Sequence, residues 1–350
     1  MPRYDAVARR WPELWNSLRL ARRNHRMAHA YLVQADRPET REEFTLALLM
    51  LAACRDADAT GEPCGKCFSC RHLENGTYPE LHHLFPVGKM YQIQVGDRQG
   101  PEVNTVRYFT EQFYLTDISG AACKIGIIHD ADRMNDEAQN ALLKTLEEPP
   151  RDTLIVLTTG NPASLLPTTR SRCQQIQLRE NEVNFEYPGA ERVFAALAML
   201  FFEAKGDILK GEEAAGVLIA VAAALKDEAE GAAESEWNDR VKEAAAFDPA
   251  LAKRLEKQME SEGAGTYMKN RNAFLSSIHS FVGELYLLSQ GAAKESLANP
   301  EILPAELPGP VEPERAARVL ELAEKLLFTM RFNVNEELAL RNFAIQAAGV

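Results

Sequence analysis

Lys124-Ile-Gly-Ile-Ile-His-Asp130, then Ala131-Asp-Arg-Met-Asn135, then Asn140-Ala-Leu-Leu-Lys-Thr-Leu-Glu-Glu-Pro-Pro150: this stretch decides the fold. Its first part is a short apolar run ending in an acid, the pattern of a strand buried on both faces. Asp136 to Glu148 follows at helical spacing, with Leu142, Leu143 and Leu146 as core, and Pro149-Pro150 stops it. A second apolar strand, Leu154 to Thr159, comes next, and after it Leu165-Leu-Pro-Thr-Thr-Arg-Ser-Arg-Cys173. Strand–helix–strand units of this size give a parallel sheet with right-handed crossovers.

On the N-terminal side the alternation continues. Trp11 to Met27 reads as a helix, His29 to Val33 as a buried strand, and Glu42 to Cys54 as a helix. Leu81 to Val87 and Ile93 to Val95 read as strands, and Glu102 to Phe113 as a helix. From about Glu182 the composition turns rich in Ala, Leu and Glu and carries no strand pattern. The helices expected there are 190–204, 212–229, 235–260, 266–290, 313–330 and 334–347, with a Pro-rich linker from Asn299 to Glu314. The expectation is an α/β domain over 1–181 followed by an all-helical C-terminal region.

The chain carries 39 Lys and Arg against 51 Asp and Glu, a net charge of −12. Such a balance argues against a chain that grips nucleic acid alone, because phosphate binding needs clustered bases. Residues 1–29 depart from it, with seven arginines (Arg3, Arg9, Arg10, Arg19, Arg22, Arg23, Arg26) against Asp5 and Glu13. Two readings of them stand: a solvated helix face, or a surface for DNA or an acidic partner. No apolar run approaches the ~18 residues of a membrane span. The start lacks a secretory pattern, and the expected compartment is the cytoplasm.

Four of the six cysteines, Cys54, Cys64, Cys67 and Cys70, form C-x9-C-x2-C-x2-C, with Gly61, Pro63 and Gly65 as turn residues. Two overlapping C-x2-C turns bring thiolates within reach of one tetrahedral ion, since Zn–S bonds are only ~2.3 Å. Four protein ligands leave no open position, so the expected zinc is structural. His72, His82 and His83 are substitute ligands that a full Cys set does not need. Cys123 and Cys173 stand apart and read as small buried or semi-buried residues, not as ligands.

A phosphate-binding loop needs G-x-x-x-x-G-K-[ST] after a buried strand. After Val33 the chain reads Gln34-Ala-Asp-Arg-Pro-Glu-Thr-Arg41, with no Gly and no Lys. Asp36 and Glu39 repel phosphate there, and Pro38 removes an amide donor. The acid-ended strand keeps Asp130, but Ala131 stands where a second acid would activate water. No intrinsic ATPase activity and no bound ATP are expected.

These motifs together resemble the delta-prime family of bacterial DNA polymerase III clamp-loader subunits, within the AAA+ proteins. The resemblance rests on His29-Ala-Tyr-Leu, the four-Cys module, Lys124–Asn135, Asn140–Pro150 and Leu165–Cys173, and covers residues ~5–180. Phe332-Asn-Val-Asn-Glu-Glu-Leu-Ala-Leu340 is similar to the closing helix of the family's collar. It implies a RecA-like AAA+ sheet over 1–181 with a zinc module at 54–70, a reduced or diverged lid over 182–232, and a collar oligomerisation domain over 233–350.

The resemblance also implies a function: a subunit without its own ATPase that helps load the sliding clamp on primed DNA. Arg172 would enter the ATP site of a neighbouring gamma/tau-type subunit as an arginine finger, and Thr159 would stand at a sensor position without a γ-phosphate to sense. Its partners would be that ATPase, a delta-type subunit, and, through the complex, clamp and DNA. Two alternatives remain at this stage: an active gamma/tau-type ATPase, and a zinc-stabilised scaffold in which Arg172 is inert. Glu147 and Glu148 read either as a contact for a neighbour's basic surface or as a solvated helix end.

Overall fold

The computed structural model describes residues 4–35, 37–100, 102–115, 121–178, 185–330 and 334–350. Asp36, the 181/182 boundary and Phe332 lie outside the described residues. The chain divides into two compact units, Met1–Arg179 and Glu180–Val350.

The first unit opens with helices α1 (Tyr4–Arg10) and α2 (Pro12–Arg23), strand β1 (Ala30–Gln34) and α3 (Pro38–Ala53). Then come α4 (Phe68–Glu74), β2 (Leu81–Leu84), α5 (Val106–Gln112), β3 (Lys124–Ile128) and α6 (Asp136–Glu147). It closes with β4 (Thr153–Thr159), α7 (Pro167–Ser171) and β5 (Gln174–Gln177). The strands form one five-stranded sheet in the order β2-β3-β4-β1-β5, every pair parallel. This is the expected RecA-like parallel sheet.

Strands β1, β3 and β4 each serve two cores by their period of two. Tyr31, Val33, Ile125, Ile127, Leu154 and Val156 face the core under α1, α2, α3 and the Cys module. Ala30, Leu32, Ile128, Ile155 and Leu157 face the core under α5 and α6. Gly126 completes that second face: a Cβ there would come within 2.5 Å of the rings of Phe109 and Phe113, so only glycine lets α5 lie on β3.

Several expected bounds shift for identifiable reasons. The helix expected from Glu42 starts a turn earlier, because Pro38 takes the first helical position, where its missing N–H is harmless. Ile93 and Gln94 make only isolated bridges to Met134 and Thr105, not a strand. Strand β5 was not expected: in Gln-Gln-Ile-Gln only Ile176 is buried, as on a polar sheet edge.

The second unit is helical among its described residues: α8 (Ala190–Phe202), α9 (Ile208–Phe247), α10 (Pro249–Ser289), α11 (Pro313–Thr329) and α12 (Glu336–Ala348). The expected breaks near 230 and 261–265 are bridged by two helices of 40 and 41 residues, and one of them runs through residues 232 and 233. Gly263 sits inside α10 where a Cβ would lie 3.3 Å from Glu230 Cα, so it marks a close approach of α9 and not a stop. The core packs Phe274, Ile278, Phe281 and Leu285 of α10 against α8, α11, α12 and the first half of α9. Beyond Leu225 the buried α9 residues, among those described, are Ala229, Ala233, Trp237, Val241 and Ala244, a narrow seam against α10.

Candidate functional site

The residue after β1 is where a phosphate loop would begin. Laying G-x-x-x-x-G-K-[ST] from Ala35 puts Thr40 at the second glycine, Arg41 at the lysine and Glu42 at the hydroxyl position. Arg41 is 5% exposed. Its Nη1 donates to the Ala35 carbonyl (2.9 Å) and its Nη2 to Asp130 Oδ1 (2.7 Å). Asp130 Oδ2 accepts from the Tyr91 hydroxyl (2.9 Å), and the Asp130 amide donates to Thr158 Oγ1 (3.3 Å). The cation and the acid that would flank a magnesium–phosphate group are thus bonded to each other. Burial first, and then the Asp130 charge, push the Tyr91 phenol above its usual range.

The neighbouring hydroxyl is also engaged. Thr159 Oγ1 donates to Asp132 Oδ1 (2.5 Å) and accepts from the Asn161 amide (2.9 Å). Thr159 therefore has a partner within its own chain. Burial raises the Asp132 carboxyl, against the pull of Arg133 and the Thr159 hydrogen bond.

Arg172 caps α7, and its side chain is 32% exposed. Its Nη1 donates to the Thr168 carbonyl (2.9 Å), and its Nη2 pairs with the Glu147 carboxylate at the end of α6. Glu147 thus meets an arginine of its own chain. The segment leading to α7 is fastened to α6 by Gln139, 1% exposed. The Gln139 amide donates to the carbonyls of Met134 (3.2 Å) and Ser164 (3.4 Å), and its Oε1 accepts from the Leu166 amide (2.7 Å). Sequence reasoning passed over Gln139; a glutamine among the apolar residues of a helix is the one signal it gives. Leu142 and Leu146 are core as expected, while Leu143 is half-buried.

The four cysteines converge. The Sγ atoms of Cys54, Cys64, Cys67 and Cys70 all lie within 4.8 Å of one another. Cys54 and Cys64 are 3.6 Å apart, and Cys67 and Cys54 3.9 Å. A tetrahedron of Zn–S bonds has sulfur edges of about 3.8 Å, whereas a disulfide needs ~2.05 Å. The set could hold one metal ion. Backbone amides point at the sulfurs, Cys64 N at Cys54 (3.3 Å) and Cys67 N at Cys64 (3.2 Å). Burial raises the Cys67 thiol, but hydrogen bonds from the Cys70 and Arg55 backbone and with the Cys70 and Cys64 side chains bring it down to about 6. Burial pushes up the thiols of Cys54 and Cys70. His82 pairs with Glu80 and His83 with His129, and neither joins the cluster. Two N-terminal arginines hold the module: Arg19 Nη1 bonds Glu62 (2.8 Å), and Arg22 bonds the carbonyls of Ala52 (2.6 Å) and Cys54. Burial lifts Cys123 to about 11 and Cys173 to about 12, as expected of inert thiols.

A family model described as "DNA polymerase III, delta subunit" matches residues 11–182. The subunit delta' of DNA polymerase III from Bacillus subtilis is 36% identical over 166 residues, 47% of this chain and 44% of that one. Over these stretches the chain is similar to delta-prime subunits. The Escherichia coli subunit tau is 28% identical over 195 residues, 51% of this chain and 28% of that one. The chain thus spans about half the length of the delta-prime relatives it matches, or less. A solved gamma-subunit-related protein from Thermotoga maritima covers 95% of this chain and 98% of its own at 16% identity, with a TM-score of 0.34, too low to bear on the fold. The family-model match ends at residue 182, just past the first compact unit, so helices α8 to α12 lie outside it.

Proposed function

We propose that this chain acts in the cytoplasm as a clamp-loader subunit without an ATPase of its own. It completes a neighbouring gamma/tau-type ATP site with Arg172 and so helps load a sliding clamp on primed DNA. The observation that supports this best is the Arg41–Asp130 ion pair, which joins the two charges a bound nucleotide would have to separate. Arg172, by contrast, keeps a third of its side chain in solvent. A planar guanidinium offered in trans neutralises charge on transferring phosphoryl oxygens, an effect worth ~10³–10⁵ in rate where measured in GTPases. The helical unit supplies the collar contacts assigned by resemblance to residues 233–350, with a delta-type subunit among its partners; residues 182–232 take the place of a lid. One structural zinc is held by Cys54, Cys64, Cys67 and Cys70.

A scaffold reading also has an observation behind it, because the Arg172–Glu147 pair satisfies the arginine in cis. ATP hydrolysis by the reconstituted loader, stimulated by clamp and primed DNA, separates the two. Arg172→Ala is expected to lower that rate about tenfold or more with assembly intact. A wild-type rate would leave the subunit a scaffold, and hydrolysis by the purified single chain would revive the ATPase reading.

A further inference from the structure

We infer that Glu147 is a positioning residue for Arg172, holding the guanidinium in the orientation in which it meets the neighbour's phosphate. The inference rests on the trans-acting reading of Arg172 given above. The guanidinium is anchored at two points on two helices: Nη2 to Glu147 on α6, and Nη1 to the Thr168 carbonyl on α7. A long side chain tied at both ends has its rotamer freedom removed before a ligand arrives, so that ordering cost does not fall on the catalytic step. The two anchors engage one N–H each of Nη1 and Nη2, and the remaining donors of the fork suit a second, phosphoryl acceptor. Both anchors belong to one frame, because Gln139 bonds α6 to Ser164 and Leu166 on the approach to α7.

The carboxylate is also badly placed for the helix itself. Glu147 is the last residue of α6, where an acid opposes the negative end of the helix dipole. Folding gains little in return: the pair is exposed, 32% at Arg172 and 46% at Glu147, and exposed pairs contribute little to stability. A residue that costs its helix something and returns little stability is placed for what it does to Arg172.

The test is steady-state ATP hydrolysis by the reconstituted loader with Glu147→Ala, Glu147→Gln, Arg172→Ala and the double variant Glu147→Ala/Arg172→Ala, with thermal melts of each. Glu147→Ala is expected to lower kcat roughly three- to tenfold with KM for ATP unchanged. Glu147→Gln, which keeps an acceptor, is expected to recover part of that loss. The double variant should be no slower than Arg172→Ala alone. If Arg172→Ala is slow and Glu147→Ala runs at the wild-type rate, the positioning role is gone and the finger stands. If Arg172→Ala is itself unaffected, the underlying reading fails. A slow Glu147→Ala that has also lost assembly or melts early assigns Glu147 to the fold and overturns the proposal.

Discussion

His129 follows β3 directly, and its Nε2 lies 2.9 Å from His83 Nδ1, with the ring of Phe85 stacked 4.2 Å away. One of the two nitrogens must donate and the other accept, so at least the accepting ring must stay neutral and the doubly protonated pair loses the bond. Burial first, and then His83 and Arg41, push His129 down to about 3; burial also lowers His83. A histidine depressed below its unfolded value of ~6.5 contributes stability that is complete above that value. The contribution is lost as pH falls toward the folded value. The denaturation midpoint of the first unit is therefore expected to fall between pH 6.5 and 5, before most carboxylates titrate. His129→Gln should flatten that slope, and an unchanged slope in the variant would place the titration elsewhere.

What the sequence could show at this scale followed from spacing and composition. Four cysteines three residues apart or joined by a turn-rich loop are legible because their geometry is local. The Arg41–Asp130–Tyr91 group is not, since its members lie on three segments that only the sheet brings together. The role of Gln139 and the partner of Glu147 were hidden for a related reason: each acts on a segment reached only after β4.

Among the elements, β3, β4 and α6 were legible because strands buried on both faces read as unbroken apolar runs, and because Asn135 and Pro149 mark the helix ends. The long hairpin of α9 and α10 was not. The break expected between 229 and 235 does not exist, while the true turn carries Asp248, which caps α10 by accepting from the amides of Ala250 (2.9 Å) and Leu251 (3.2 Å), and Pro249 at its first position. That Asp-Pro pair is a helix-start signal that Ala-rich flanks obscured. A further element-level device is Arg315, 4% exposed. Its guanidinium donates to the carbonyls of Leu200 (3.0 Å), Phe201 (3.0 Å), Ala347 (3.1 Å) and Val350, so one cation closes the C-terminal ends of α8 and α12. Those ends carry negative dipole charge and orphan carbonyls. Arg315→Met keeps most of the stem but removes the donors, and should cost roughly 2–4 kcal/mol in chemical denaturation of the helical unit. A loss under about 0.5 kcal/mol would mean that water replaces the cap.

For the whole molecule, the core clusters each draw their residues from one compact unit. Chains built in this way depart from two-state unfolding, and a calorimetric scan is expected to resolve two transitions. The assignments above say which perturbation moves which. The Cys module is rooted in the first unit, with Cys54 and Cys70 inside its core beside Leu48 and Leu73. If the thiols hold zinc, binding free energy adds to the folding of that unit alone. A strong chelator, or Cys67→Ser, should therefore lower one transition and release about one zinc per chain, while Arg315→Met lowers only the other. The sign with pH is fixed too: protons compete with the metal for thiolates, so the metal-dependent part of the first transition weakens as pH falls. Metal analysis showing no zinc in protein purified without chelator, together with a first transition that chelator leaves in place, would reduce the four thiols to ordinary core residues. The second unit, outside the family-model match, would keep its own transition through chelator, Cys67→Ser and His129→Gln alike, because nothing in its core depends on the cysteines or on His129.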